Sequence, residues 1–260
     1  LPTGKPDYEL SLGEILNLTF NLYAKNFVVF FLPILIMMVL SGFLNAIVIS
    51  FVNKAISNIP RYGTPQQVFN WFFSFLQTFI LMALGITLIS WVVSAVVQGI
   101  CVKCAADLIE KGTASLEEAA NFTIYKISTL IIAVILTNLL ITFGCLALIV
   151  PGIILAIIFY LVIPVIVIED TGVLDSLSRS SRLVSNRWLK TFALALIVGL
   201  ITATVSFIGN LIGSPLGAFS VIVGSTMAAF IQPIIPISTT IYYYAMLAKE
   251  KMKLPPPPPF

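Results

Sequence analysis

Apolar residues fill four long stretches of this chain that contain no charge, at positions 26–53, 62–102, 127–168 and 191–248. A membrane-crossing helix needs about 20 apolar residues. The first stretch holds one span, about 27–52. The second opens on the polar Thr64-Pro-Gln-Gln67, so its apolar run starts near Val68. With no strong turn signal inside it, the pattern predicts one long helix, with a span at about 69–98 and a continuation to Lys111. The third holds two short spans, about 127–145 and 149–168, joined by a hairpin near Gly144-Cys145 and Pro151-Gly152. The fourth is divided by Gly213-Ser-Pro-Leu-Gly217, a turn-forming cluster, into spans at about 190–212 and 218–247. The expected fold is all-α, a polytopic membrane protein with six transmembrane helices.

Charge gives the spans a direction. Of 14 basic residues, only Lys54 and Arg61 fall on one side of such a bundle. The other basic residues and all 11 acidic residues fall on the opposite side. The positive-inside rule makes that side cytoplasmic, so both ends are expected in the cytoplasm of a cell (plasma) membrane protein. Residues 1–26 lack the basic head, apolar core and small-residue site of a signal peptide. The domain reading is a cytoplasmic tail at 1–9, a single membrane domain at 10–248 and a Pro-rich cytoplasmic tail at 249–260. Composition agrees: 59% of residues are apolar, 10% are charged and the mean hydropathy is +1.06. That excludes a soluble globular domain and a disordered one.

Three cytoplasmic segments are amphipathic. Ser11-Leu-Gly-Glu14 has capping-box spacing, and Leu12, Ile15, Leu16, Thr19, Leu22 and Tyr23 follow at helical spacing. Ser115-Leu-Glu-Glu118 repeats the pattern, and Asn17 and Thr19 recur as Asn121 and Thr123. Before the fifth span, Leu174, Leu177, Ser181, Val184 and Trp188 make an apolar stripe beside Asp175, Arg179, Arg182 and Asn186. The expectation is three repeats, each an interfacial helix followed by a hairpin of two spans. Their apolar faces are expected to lie toward acyl chains.

Candidate chemistry is sparse. The chain has no His, which excludes an imidazole base, nucleophile or ligand, and no ionisable residue lies between the expected interfaces. Carboxylate proton relays and intramembrane metalloproteases or aspartyl proteases are therefore disfavoured. Arg179, Arg182, Arg187 and Lys190 are candidates for anionic lipid headgroups. Pro164 breaks the fourth span. Gln232, Pro233, Pro236, Ser238 and Thr239 make a kink whose freed carbonyls and hydroxyls are candidates for a cavity lining. Tyr242, Tyr243 and Tyr244 suit an interfacial aromatic belt. Glu169 and Asp170 are placed to pair with Arg179, Arg182 or Lys190. Cys101-Val-Lys-Cys104 lacks a second ligand pair for zinc. No metal and no cofactor is expected. Pro255–Pro259 reads as a polyproline spacer.

Leu10-Ser-Leu-Gly-Glu-Ile-Leu-Asn-Leu-Thr-Phe-Asn-Leu-Tyr-Ala-Lys-Asn-Phe27 resembles the opening of the glycerophosphodiester phosphodiesterase membrane-domain family. Val150-Pro-Gly-Ile, Val167-Ile-Glu-Asp170, Leu177-Ser-Arg-Ser-Ser-Arg-Leu-Val184 and Trp188 are similar to its later signature. The resemblance spans about 8–248 and implies a six-span membrane domain. It carries over no catalytic residue, since that chemistry needs His. The expected function is non-enzymatic: a lipid-interacting module or an accessory subunit of a membrane complex. The alternative is a transporter or channel for a neutral or lipidic solute. Expected partners are membrane lipids and other membrane subunits, with no nucleic acid.

Overall fold

The computed structural model describes residues 5–185, 187–215 and 220–253. These are all-helical. The Ser11 hydroxyl accepts from the Glu14 amide and the Glu14 carboxylate accepts from the Ser11 amide, a capping box that opens α1 (Leu12–Lys25). After Asn26 comes α2 (Phe27–Ser57). The chain returns in α3 (Pro65–Lys111), which begins ahead of the apolar run because Thr64 and Gln67 form a second capping box and Pro65 takes the first turn. At 47 residues α3 is about 70 Å long, more than twice the roughly 30 Å of a bilayer's hydrocarbon core. It ends at Gly112, whose φ of 78° is the left-handed geometry glycine tolerates.

The second unit is α4 (Leu116–Tyr125), α5 (Ile127–Ala147), α6 (Ile149–Ile158) and α7 (Val162–Glu169). The third is α8 (Val173–Ser185), α9 (Trp188–Gly213), α10 (Ser220–Ile231) and α11 (Ile234–Lys253). Among the described residues five helical segments are long and apolar enough to cross a membrane: α2, α3, α5, α6 continued by α7, and α9. The chain is a multi-pass membrane protein on that ground. The expected sixth span, 218–247, is not one helix. Residues 218–219 lie outside the described ones, and the rest is broken at Gln232-Pro233 into α10 and α11. Proline cannot donate to the preceding turn and its ring crowds the carbonyl four residues back, which accounts for a break there. Pro164 sits just beyond the corresponding break at 159–161.

Outgoing and returning helices pair as hairpins: α2 with α3, α5 with α6, and α9 with α10. In each outgoing helix the fourth and seventh residues are buried: Phe30 and Pro33, Leu130 and Ala133, Thr191 and Leu194. The short amphipathic helices pack in a regular way. α4 lies on α3 and α8 on α7, each against the returning helix just before it, and α1, first in the chain, lies on α11, the last. The inner ends of α3, α7 and α11 meet one another at the centre. This corrects the expectation that the amphipathic faces meet lipid. Ile15, Thr19 and Leu22 of α1, Ala119 and Thr123 of α4, and Leu177, Ser180, Leu183 and Val184 of α8 are buried in the protein. Leu174, assigned to the apolar stripe, is 74% exposed. Asn186, assigned to the polar one, lies outside the described residues.

Side chains of the short helices seal the breaks. The Ser180 hydroxyl donates to the Ile158 carbonyl at 2.7 Å and accepts from the Leu161 amide at 3.2 Å, closing the α6–α7 break. The Tyr23 hydroxyl donates to the Phe230 carbonyl at 2.7 Å, at the end of α10. α3 has no such break. There α4 approaches at Gly99, where an added Cβ would come within 3.0 Å of both Thr123 and Leu130.

The hairpins themselves are held by small residues, as expected without a hydrophobic drive between helices in lipid. A Cβ on Gly152 would lie 2.7 Å from the Cys145 backbone nitrogen. One on Gly209 would lie 2.6 Å from Met227 Cβ. Gly199, by contrast, has open space around it. Gly152→Ala should therefore cost about 1–3 kcal/mol as α5 and α6 are forced apart. Gly199→Ala should cost nothing measurable. Thermal unfolding of the two variants in detergent distinguishes them; equal melting temperatures would contradict the hairpin packing.

Candidate functional site

The charged residues gather where the three units meet. α11 occupies the centre because its apolar residues are buried all round: Ile237, Ile241, Ala245 and Met246, together with Tyr242, Tyr243 and Tyr244. The tyrosines form no exposed belt. Each reaches a different helix. Tyr242 shares a hydrogen bond of 2.8 Å with Thr191 of α9. Tyr243 donates to Glu169 of α7 at 2.6 Å. Tyr244 donates to Glu110 of α3 at 2.7 Å.

Ion pairs extend from these contacts. Arg179 of α8 bridges two carboxylates, with Nε at 2.9 Å from Glu169 and Nη2 at 2.5 Å from Glu250 of α11. Lys5 pairs with Glu110 at 3.0 Å. Asp107, buried in α3, lies 3.0 Å from both Lys103 and Lys111, one turn away on either side. Lys126 pairs with Asp170 at 2.5 Å, joining the α4–α5 corner to the end of α7. Glu9, just before α1, takes three cations: Arg187, Lys190 at 2.9 Å and Lys249 at 2.5 Å. Burial opposes the charge on Glu9, but hydrogen bonding and attraction from Lys190, with the charge of Arg187, hold its carboxyl below the usual range. The Arg179 hydrogen bond, against burial, does the same for Glu250.

Two grooves open beside this base. One, of about 660 Å³, is lined by residues between Lys5 and Leu10, by Leu18 and Leu22 of α1, by Leu108 and Ile109 of α3 and by Tyr244. The other, of about 300 Å³, runs between Ile154 and Ile157 of α6 and Ser181 and Val184 of α8, beside Trp188.

The residues singled out in the sequence fall into three groups. Of the four headgroup candidates, Arg179, Arg187 and Lys190 are engaged by carboxylates, while the Arg182 guanidinium is exposed and makes no hydrogen bond or ion pair among the described residues. Glu169 does pair with Arg179, whereas Asp170 turns to Lys126. The kink residues line neither groove. Pro164, Pro233 and Pro236 are buried beside the breaks. Ser238 and Thr239 bond to carbonyls of their own helix, at Ile235 and Pro236. Gln232 is half-buried. Asn45 and Asn210 likewise bond to their own helices. Cys101 and Cys104 are buried free thiols of α3, and no group of side chains suited to a metal ion occurs among the described residues. The pairings of Glu9, Glu110, Lys249 and Glu250 carried no sequence signal beyond their position outside the apolar runs. Pro255–Pro259 lies outside the described residues.

No family model, curated protein or solved structure matches this chain. The fold and the charged base define a multi-pass, all-helical membrane protein.

Hydrogen bonds to charged partners contribute about 1.5–3 kcal/mol each and neutral ones about 1. Tyr243→Phe and Tyr244→Phe should therefore lower stability more than Tyr242→Phe, by denaturant unfolding in detergent; equal losses would contradict these pairings. Glu9 and Glu250 have lower pKa values folded than unfolded. The stability they contribute is complete above the unfolded value of about 4.3 and is lost as pH falls through the folded values. Melting temperature should drop as pH is lowered below about 4.3, and less steeply in Glu9→Gln. A slope unchanged by that substitution would contradict the Glu9 pairings.

Proposed function

We propose that this protein is a non-enzymatic, lipid-interacting membrane module. It crosses the bilayer six times, with α10 and the start of α11 making the sixth pass and both ends in the cytoplasm. Three units, each an amphipathic helix and a hairpin, surround α11. Such a module suits an accessory subunit of a membrane complex, and the six-pass form is the one that the family resemblance implies.

One observation carries this reading, the division of the molecule into two chemistries. Away from the base the helices expose large apolar side chains along most of their length, including Val39, Phe43, Phe73, Leu84, Phe143 and Phe207. The ion pairs gather at the other end. Acyl chains can cover the first surface and headgroups and water the second. The sealed breaks favour this reading over a conduit for solute. Ser180, Ser238 and Thr239 spend their hydroxyls on backbone carbonyls, and buried polar groups so satisfied offer nothing to a passing molecule.

Labelling with a membrane-impermeant maleimide tests the orientation. In a Cys145→Ser background, Tyr62→Cys should react in intact cells and Glu117→Cys only after lysis. Both positions are exposed. The reverse pattern would overturn the topology. Recovery of anionic phospholipid with the purified protein supports the lipid role; recovery of only neutral lipid contradicts it.

A further inference from the structure

Glu9 is matched poorly to what surrounds it. Arg187, Lys190 and Lys249 all point at its one carboxylate, so three positive charges face one negative charge. The first turn of α9 adds to the excess. Arg187 is its N-cap and caps none of the first-turn amides with its side chain, so the positive end of the helix dipole faces the same place. Two oxygens are shared among three cations. Oε1 serves Arg187 and Lys190 together, while Oε2 serves Lys249. Lys190 completes its shell by donating to the Leu10 carbonyl at 2.7 Å.

A phosphomonoester answers the charge mismatch and gives each cation its own oxygen. It carries a charge of about −1.5 to −2 and offers three strong acceptor oxygens, one for each cation. A helix N-terminus is a natural seat for such an anion. The surroundings point to a lipid as its carrier. Trp188 and Leu189, flanked by Arg187 and Lys190, are 52% and 64% exposed, so acyl chains have an apolar surface beside the cations.

We propose that Arg187, Lys190 and Lys249 form a binding site for a phosphomonoester group, which Glu9 occupies in its absence. Binding there displaces Glu9. The chain from Lys5 to Leu10 forms one wall of the groove of about 660 Å³, and that wall is held by Glu9, by Lys5 on Glu110 and by Tyr8 on Glu14. Loss of the triple contact leaves the segment held only by Lys5 and Tyr8, which loosens it and widens the groove. The site thus couples a phosphorylated ligand to access at the cytoplasmic base.

The test uses the full chain, with phosphatidic acid and inorganic phosphate as probes. Native mass spectrometry reads lipid adducts, and hydrogen exchange reads the backbone of residues 5–10. Wild-type protein should bind phosphatidic acid in preference to phosphatidylcholine, with faster exchange at 5–10. Glu9→Gln should bind it several-fold more tightly, because the competing carboxylate is gone. Lys249→Gln and Lys190→Gln should each weaken it by roughly fivefold, the factor expected for one basic charge at an anionic surface. If Glu9→Gln does not fold, Glu9→Asp, whose shorter reach loosens the contact, should move affinity in the same direction. Phosphate alone speeding exchange in detergent identifies the group itself as the ligand. An effect of phosphatidic acid only identifies the lipid-borne form. Either outcome supports the site. The lipid arm rests on the lipid-facing reading above and the phosphate arm does not, so the two fail separately. Unchanged or weaker binding by Glu9→Gln, or bound phosphatidic acid with unaltered exchange at 5–10, overturns the proposal.

Discussion

Neighbouring residues on a helix point about 100° apart, so three in a row can be buried only if the helix is enclosed over more than half of its circumference. Tyr242, Tyr243 and Tyr244 impose that condition on α11. Each brings a large ring that must leave water and a hydroxyl that must find a partner. The partners come from three different helices, Thr191 on α9, Glu169 on α7 and Glu110 on α3. The last helix of the chain therefore cannot reach its native surroundings until the first two units are in place. The remaining side of α11 is covered by α1, and Glu9 ties the start of α1 to Lys249 near the end of α11.

The same constraint separates the molecule into a closed base and open spans. Around α11, the inner ends of α3 and α7 and the three short helices bury one another. Farther out the helices hold together mainly as pairs, through close approaches such as Gly152 on Cys145 and Gly209 on Met227. The breaks in α6–α7 and α10–α11 lie where the two regimes meet. There a returning helix changes direction to enter the base, and a side chain from a short helix takes up a carbonyl that the break releases. The base is closely packed, so interaction falls to its surface, at the groove behind Lys5 to Leu10 and at the exposed Arg182.

Much of this frame was legible in the residues. Charge-free runs located the hairpins, and Ser11 with Glu14 marked the start of α1. The ambiguity lay in what each apolar face meets. An amphipathic stripe such as Ile15, Thr19 and Leu22 has the same spacing whether it rests on lipid or on another helix. A tyrosine cluster at the end of an apolar run suits an interface belt as well as a core. The choice depends on neighbours far away in the chain, and spacing along one helix does not hold that information. The ion pairs were hidden for the same reason: Glu9 meets cations 178 to 240 residues distant. The division of 218–247 into α10 and α11 is a local effect instead, set by Pro233 beside Gln232.

The most direct test is whether the beginning of the chain lies against its end. A water-soluble carbodiimide joins a carboxylate to an amine only where the two are in contact. Full-length protein in neutral detergent, free of anionic lipid, should yield a covalent link from Glu9 to Lys249 or Lys190, read by peptide mass spectrometry. Tyr242→Ala, which removes a wall of the base, should reduce it. If Glu9 links to neither lysine in folded protein, α1 does not close the ring around α11 and the arrangement described here is wrong.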